Sequence, residues 1–170
     1  MEGFRSFIGR FAGAGQTGKS ASDIVMSRHN DNPYDTENID HHVVHGSDEH
    51  KIAALDHPDA EPHHFEAAAE HGSWRVQKHI ASHPNAPEHV LDKLSTHEDG
   101  NIRKFVASNP STSPNTLHNM GTKYNLPHSI TIGVVNNPNT SERTLRHIRD
   151  NHKDPDISHM AAGRLADLGA

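Results

Sequence analysis

Large apolar residues recur along this chain in narrow pairs, three apart, rather than in broad runs. Phe65 and Ala68, Leu91 and Leu94, Leu117 and Met120, and Leu145 and Ile148 stand seven and ten residues after Pro58, Pro84, Pro110 and Pro138. A spacing of three puts both members of a pair on one helix face. Just before the same prolines lie Ala54–Leu55, Ile80–Ala81, Val106–Ala107 and Val134–Val135, and one turn earlier come His50, Val76, Ile102 and Ile130. The prolines are spaced 26, 26 and 28 residues apart, so the chain repeats a unit.

Each unit predicts two short helices. The residue before a proline is pushed out of the α region, which ends the first helix at His57, His83, Asn109 and Asn137. Pro62, Pro87 and Pro114 suit the first position of the second helix, and Ser113 and Ser141 suit its N-cap. One unit cannot bury two narrow apolar stripes alone, whereas a stack can. The last residues, "DISHMAAGRLADLGA", repeat the first helix: Ile157, Met160, Ala161 and Ala162 match Ile102, Phe105, Val106 and Ala107. No proline follows, so this half-unit is expected to close the stack, with Leu165 and Leu168 packing back and Arg164 and Asp167 outward.

The stretches "ASHPNAPEHVL" and "ASNPSTSPNTL" resemble units of the leucine-rich repeat variant family, with HEAT-like helical repeats as the nearest alternative. The resemblance covers about residues 47–170. It implies an all-α fold: a short right-handed solenoid in which α-helices alternate with 3₁₀-helices. It implies shape more than activity. That family's iron–sulfur member cannot be a guide, because the chain has no Cys.

Residues 1–12 carry a different pattern. Phe4, Phe7, Ile8 and Phe11 follow i, i+3, i+4, i+7, one apolar face of a helix, with Arg5 and Arg10 off it. So short a helix is marginal alone in water and needs a surface to lie on. Phe4, Phe7, Ile8 and Phe11 are therefore the expected partner-binding residues, with folding back onto the first repeat, or a weak contact with a membrane surface, as the alternatives. Residues 13–46 read as a Gly-rich and polar linker. Within it "GAGQTGKS" fits the phosphate-loop string through Gly13, Gly18, Lys19 and Ser20. That loop works only between a buried strand and a helix. The preceding "FRSFIGRFA" has helical periodicity, and the helical repeats leave no room for a parallel sheet, so no nucleotide binding is expected.

Composition narrows the rest. Of 170 residues only 32% are hydrophobic, against about 45–50% apolar in ordinary domains, which favours a thin body over a thick core. Without Cys there is no disulfide, thiolate zinc site or Cys nucleophile. No run approaches the roughly 18 apolar residues of a membrane span. The first residues do not read as a secretory signal, so a cytoplasmic setting, or an assembly formed there, is expected. A net charge of −6 argues against nucleic acid, and the basic residues Arg75, Lys78, Arg103 and Lys104 find no counterpart in "SITIGVV". No nucleophile elbow occurs, so no enzyme and no cofactor is expected. The expected partners are proteins of a larger assembly, for example a virus particle.

Histidine is the exceptional residue. There are 18, and 12 lie between residues 41 and 97. Their full protonation would carry the formal charge from −6 to +12. In "HHVVHGSDEH", His41 and His45 stand at i, i+4 and His42 and His45 at i, i+3, followed by Asp48, Glu49 and His50, a pattern able to hold a divalent metal. The alternative function is thus a metal- or pH-responsive binding module. His57 and His83 share a column with Asn109 and Asn137, where the side chain is expected to bond the local backbone.

Overall fold

The computed structural model describes residues 39–123 and 126–169, and the described residues form ten helices and no strand. They are α1 (Ile39–His45), α2 (Asp48–Leu55), α3 (Pro62–His71), α4 (Trp74–Ser82), α5 (Glu88–Leu94), α6 (Gly100–Ser108), α7 (Pro114–Gly121), α8 (His128–Asn136), α9 (Glu142–Asn151) and α10 (Pro155–Asp167). Even-numbered helices pack in series, α2 on α4, then α6, α8 and α10. Odd-numbered helices make a second rank, α1 on α3 on α5 and α7 on α9, with Thr116 of α7 donating to Asp92 of α5 at 2.9 Å. The fold is all-α, and it is built from the two-helix units read in the sequence.

The repeat columns are its core. Val76, Ile80, Ala81, Ile102, Val106, Ala107, Ile130, Val134 and Val135 are buried along the even rank. Phe65, Ala68, Leu91, Leu94, Leu117, Met120, Leu145 and Ile148 are buried along the odd rank. Each side chain buried this way is worth about 1.5–3 kcal/mol for the large aliphatics, so stability is spread evenly along the stack. Gly133 sets the spacing of α6 and α8. A Cβ there would lie 3.0 Å from both the Ala107 Cβ and the Ser108 Oγ.

The unit boundaries also fall where proline chemistry puts them. His83, Asn109 and Asn137 cap α4, α6 and α8 with ψ of 128°, 127° and 131°, outside the α region. Pro62 and Pro114 occupy first-turn positions, and Ser113 and Ser141 accept from the Thr116 and Thr144 N–H groups. Pro87 instead takes the N-cap of α5.

Three expectations change. Every helix is an α-helix, including the second of each unit, where the resemblance implied 3₁₀. Those helices are 7 to 10 residues long, enough for i→i+4 bonding, and i→i+3 bonds occur at helix ends and turns, such as Val90 N–H to Pro87 O at 3.0 Å and Asn109 N–H to Val106 O at 3.1 Å. The polar linker placed at 13–46 does not extend through residues 39–45. That stretch forms α1, which buries Ile39, His42 and Val43 against α2 and α3. At the far end Leu165 is buried as expected, but Leu168 is 50% exposed, because α10 stops at Asp167 and the next residue has no face to pack on.

Lys51 locks α1 to α2. Its buried Nζ donates to the Val43 and Val44 carbonyls at 2.9 and 2.7 Å, a cation at the negative end of a helix. Burial holds its pKa below the usual lysine value, with Asp48 pulling the other way.

Candidate functional site

The most distinctive chemistry lies at the turns, in the His/Asn column. The Asn109 Oδ1 accepts the Ser111 N–H at 2.8 Å, and the Asn137 Oδ1 accepts the Asn139 N–H at 2.9 Å. His57 and His83 make the same bond with Nδ1, accepting from the Asp59 and Asn85 N–H groups, each at 3.1 Å. His97 and His152, at the turns from α5 to α6 and from α9 to α10, accept from Asp99 and Asp154 at 3.0 and 3.1 Å. An imidazole Nδ1 thus does the work of an amide oxygen, as expected for this column.

The other end of the side chain separates the two residue types. The Asn109 Nδ2 donates to the Ala81 and His83 carbonyls of the preceding unit at 2.9 and 3.0 Å. The Asn137 Nδ2 donates to the Ala107 and Asn109 carbonyls, both at 2.8 Å. Asparagine therefore stitches one unit to the next through buried backbone. His83 instead directs its Nε2 to the Asp56 carboxylate, 3.4 Å away.

Accepting at Nδ1 has a chemical consequence. A ring that accepts there while neutral must carry its proton on Nε2. Protonation would place a second N–H against the backbone N–H. His64 is under the same constraint: Nδ1 accepts the Glu61 N–H at 2.8 Å and Nε2 lies 3.1 Å from Asp40. For His83, burial first and then neighbouring His79 lower the pKa below the usual histidine value, while Asp56 acts in the opposite sense.

Two three-ligand groupings occur among the described residues: Asp40 with His63 and His64, and Asp56 with His79 and His83, their ligand atoms within 4.8 Å of one another. His79 Nε2 lies 2.8 Å from Asp56 Oδ1, and His63 Nε2 lies 3.1 Å from Asp40 Oδ1. The hydrogen bond from His63 is the main cause of a lowered Asp40 pKa, partly offset by burial. Each trio contains one histidine, His64 or His83, whose Nδ1 is already taken by backbone. Ligation at Nε2 would strip that ring of its remaining proton, so both trios fit hydrogen-bonded clusters better than a metal centre.

The sequence-predicted set His41, His42, His45 and His50 is brought together only in part. The His42 ring is buried and stacked on His50, centroids 5.2 Å apart and 9° from parallel; His41 and His45 lie at 5.1 Å. His50 Nδ1 is 2.6 Å from the Ser47 Oγ, and these four do not converge as a third grouping. Sequence reasoning missed Asp40, Asp56, His63, His64 and His79. A signal was there: Asp40–His63, Asp56–His79 and Glu66–His89 are all separated by 23 residues, close to one repeat, and all pair across units.

Phe4, Phe7, Ile8 and Phe11, and the string Gly13, Gly18, Lys19 and Ser20, lie outside the described residues. No helix among the described residues is long and apolar enough to cross a membrane. No protein-family model matches this chain, and no match to it emerges among curated proteins or solved structures.

Proposed function

We propose that this chain is a non-catalytic interaction protein, a helical repeat body with an N-terminal docking arm, working as a component of a larger protein assembly. One observation carries the reading for the body. Trp74, the single tryptophan, is 47% exposed on α4. Its indole N–H donates to Asp99 at 2.6 Å, and Lys78 lies over both the Trp74 ring, at 5.3 Å, and the Phe105 ring, at 5.2 Å. A large amphipathic ring held in a fixed orientation on the outer face of stacked helices suits an interface anchor. Ile132, 38% exposed, lies on α8 of the same rank.

Two changes test the two parts. Trp74→Ala leaves the buried columns intact and is expected to weaken assembly at least tenfold without a matching loss of thermal stability. Deleting residues 1–12 is expected to do the same through the arm. If both variants join the native complex with unchanged affinity, measured by interferometry or co-sedimentation, the reading is wrong.

A second reading keeps a specific observation in its favour. His83, whose Nδ1 accepts the Asn85 N–H and whose pKa burial lowers, supports a pH-responsive version of the same module, because protonation opposes that turn bond.

A further inference from the structure

A cavity in the last third of the stack, bordered by the ends of α7 and α9 and the start of α8, has the makings of a ligand site. Its volume is about 360 Å³, and its lining includes Lys123, His128, Thr131, His147, His152 and Lys153, with no carboxylate among the described lining residues.

Two independent features stand at its wall, one at the start of α8 beside His128 and one at Thr131. Along the even rank, α2, α4, α6 and α10 start at Ser47, Ser73, Asp99 and Asp154, each of whose side chains accepts a first-turn N–H. In α8 the same column holds Pro127, which has no side chain able to accept. The start of α8 therefore keeps uncapped amides together with the partial positive charge of a helix N-terminus. One turn on, Thr131 is 1% exposed, and its Oγ1 has no hydrogen-bond partner among the described residues. The other buried threonines do not share this state. Thr112 and Thr140 donate to the Val106 and Val134 carbonyls, Thr116 to Asp92, and Thr144 is 3.0 Å from His118. A buried hydroxyl without a partner is costly, and a ligand removes that cost.

Charge decides the kind of ligand. Lysines and histidines dominate the polar lining. A carboxylate nearby, Asp154, caps α10 and lies 3.2 Å from the His128 Nδ1. Carbonyls at the ends of α7 and α9 already accept, from the Thr122 hydroxyl and the Asn151 amide.

We propose that this cavity binds a phosphate-class oxyanion, free or as the phosphoryl group of a small phosphomonoester. Thr131 Oγ1–H and the first-turn amides of α8 donate to it, and Lys123 and Lys153 balance its charge. The volume lies in the range of small-molecule sites, about 300–1,000 Å³.

The test is an amide-resolved NMR titration of the full chain with inorganic phosphate, repeated with glycerol phosphate, against chloride at equal ionic strength. Saturable shifts at the start of α8 with a dissociation constant of about 1 mM or tighter are expected for one or both phosphates and not for chloride. Tighter binding of the ester identifies it as the better occupant. Thr131→Val, nearly isosteric, is expected to melt no lower than the parent and to bind about tenfold more weakly. Lys123→Gln on the exposed rim weakens binding as well and decides the matter should the valine variant not fold. Absence of saturable shifts, equal shifts with chloride, or binding unchanged in both variants overturns the proposal.

Discussion

At the scale of single residues, the Asn and His forms of the turn column differ in what they hold. Asn109 is buried and makes three backbone bonds, two of them to the preceding unit. Asn109→Ala leaves the Ala81 and His83 carbonyls and the Ser111 N–H unpaired. The expected cost is about 2–4 kcal/mol, read as a fall in denaturant midpoint at constant slope. His57, at the first turn, makes one such bond at a half-buried position, so His57→Ala is expected to cost about 1 kcal/mol or less. Equal losses from the two substitutions would mean the inter-unit bonds contribute little.

Between elements, the tightest constraint is where an odd helix turns into the next even one. Gly46 and Gly72 hold equivalent places, 26 residues apart. A Cβ on Gly46 would lie 2.7 Å from the His50 Cβ, and one on Gly72 would lie 2.7 Å from the Val76 Cβ while pressing on the Ala68 carbonyl. No flexible side chain can yield there, so Gly72→Ala is expected to destabilise by about 2 kcal/mol or more in thermal or urea unfolding, although the glycine φ of −87° suits alanine. The turns also set a pH dependence. His83 has a folded pKa below its unfolded value, so the unfolded chain takes up the proton first. Its contribution is intact above about pH 6.5, the ordinary histidine value, and is lost as the pH falls below that through the lowered folded value. Thermal melts between pH 7.5 and 5 are expected to fall, and to fall less in His83→Asn, which keeps the acceptor and cannot titrate. Equal slopes for both proteins would remove His83 from the account.

Across the whole molecule, neighbours stabilise neighbours, so damage is local before it is global. Twelve of the 18 histidines lie between residues 41 and 97, whereas the turns at 109 and 137 use asparagine. His83, at the turn after α4, is the turn histidine whose pKa burial lowers, so mild acid is expected to open α4 and α5 before α6 and α8, seen as earlier amide exchange in the first pair; simultaneous exchange would contradict it. The closing helix has the opposite role. α10 covers α8 and α9 with Ile157, Ala161 and Leu165. Deleting residues 155–170 bares the Val135 and Ile148 region and is expected to lower the melting temperature by about 10 °C or more and to promote association.

The repeat, its helix ends and its buried columns were legible in the order of residues alone. Phe65, Leu91, Leu117 and Leu145 stand at one position because each unit must bury the same stripe, and proline fixes the turn before it through local sterics. The all-α class follows from that periodicity. What only the folded arrangement decided depends on contacts between units. α1 was hidden within a polar stretch, because its burial comes from Lys51 and the faces of α2 and α3 rather than from a strong stripe of its own. The pairing of Asp56 with His79, and the choice of Nδ1 as acceptor in His83, arise from atoms one repeat apart. The uncapped start of α8 and Thr131 border one cavity only because the ends of three helices meet there, and no local pattern specifies that meeting.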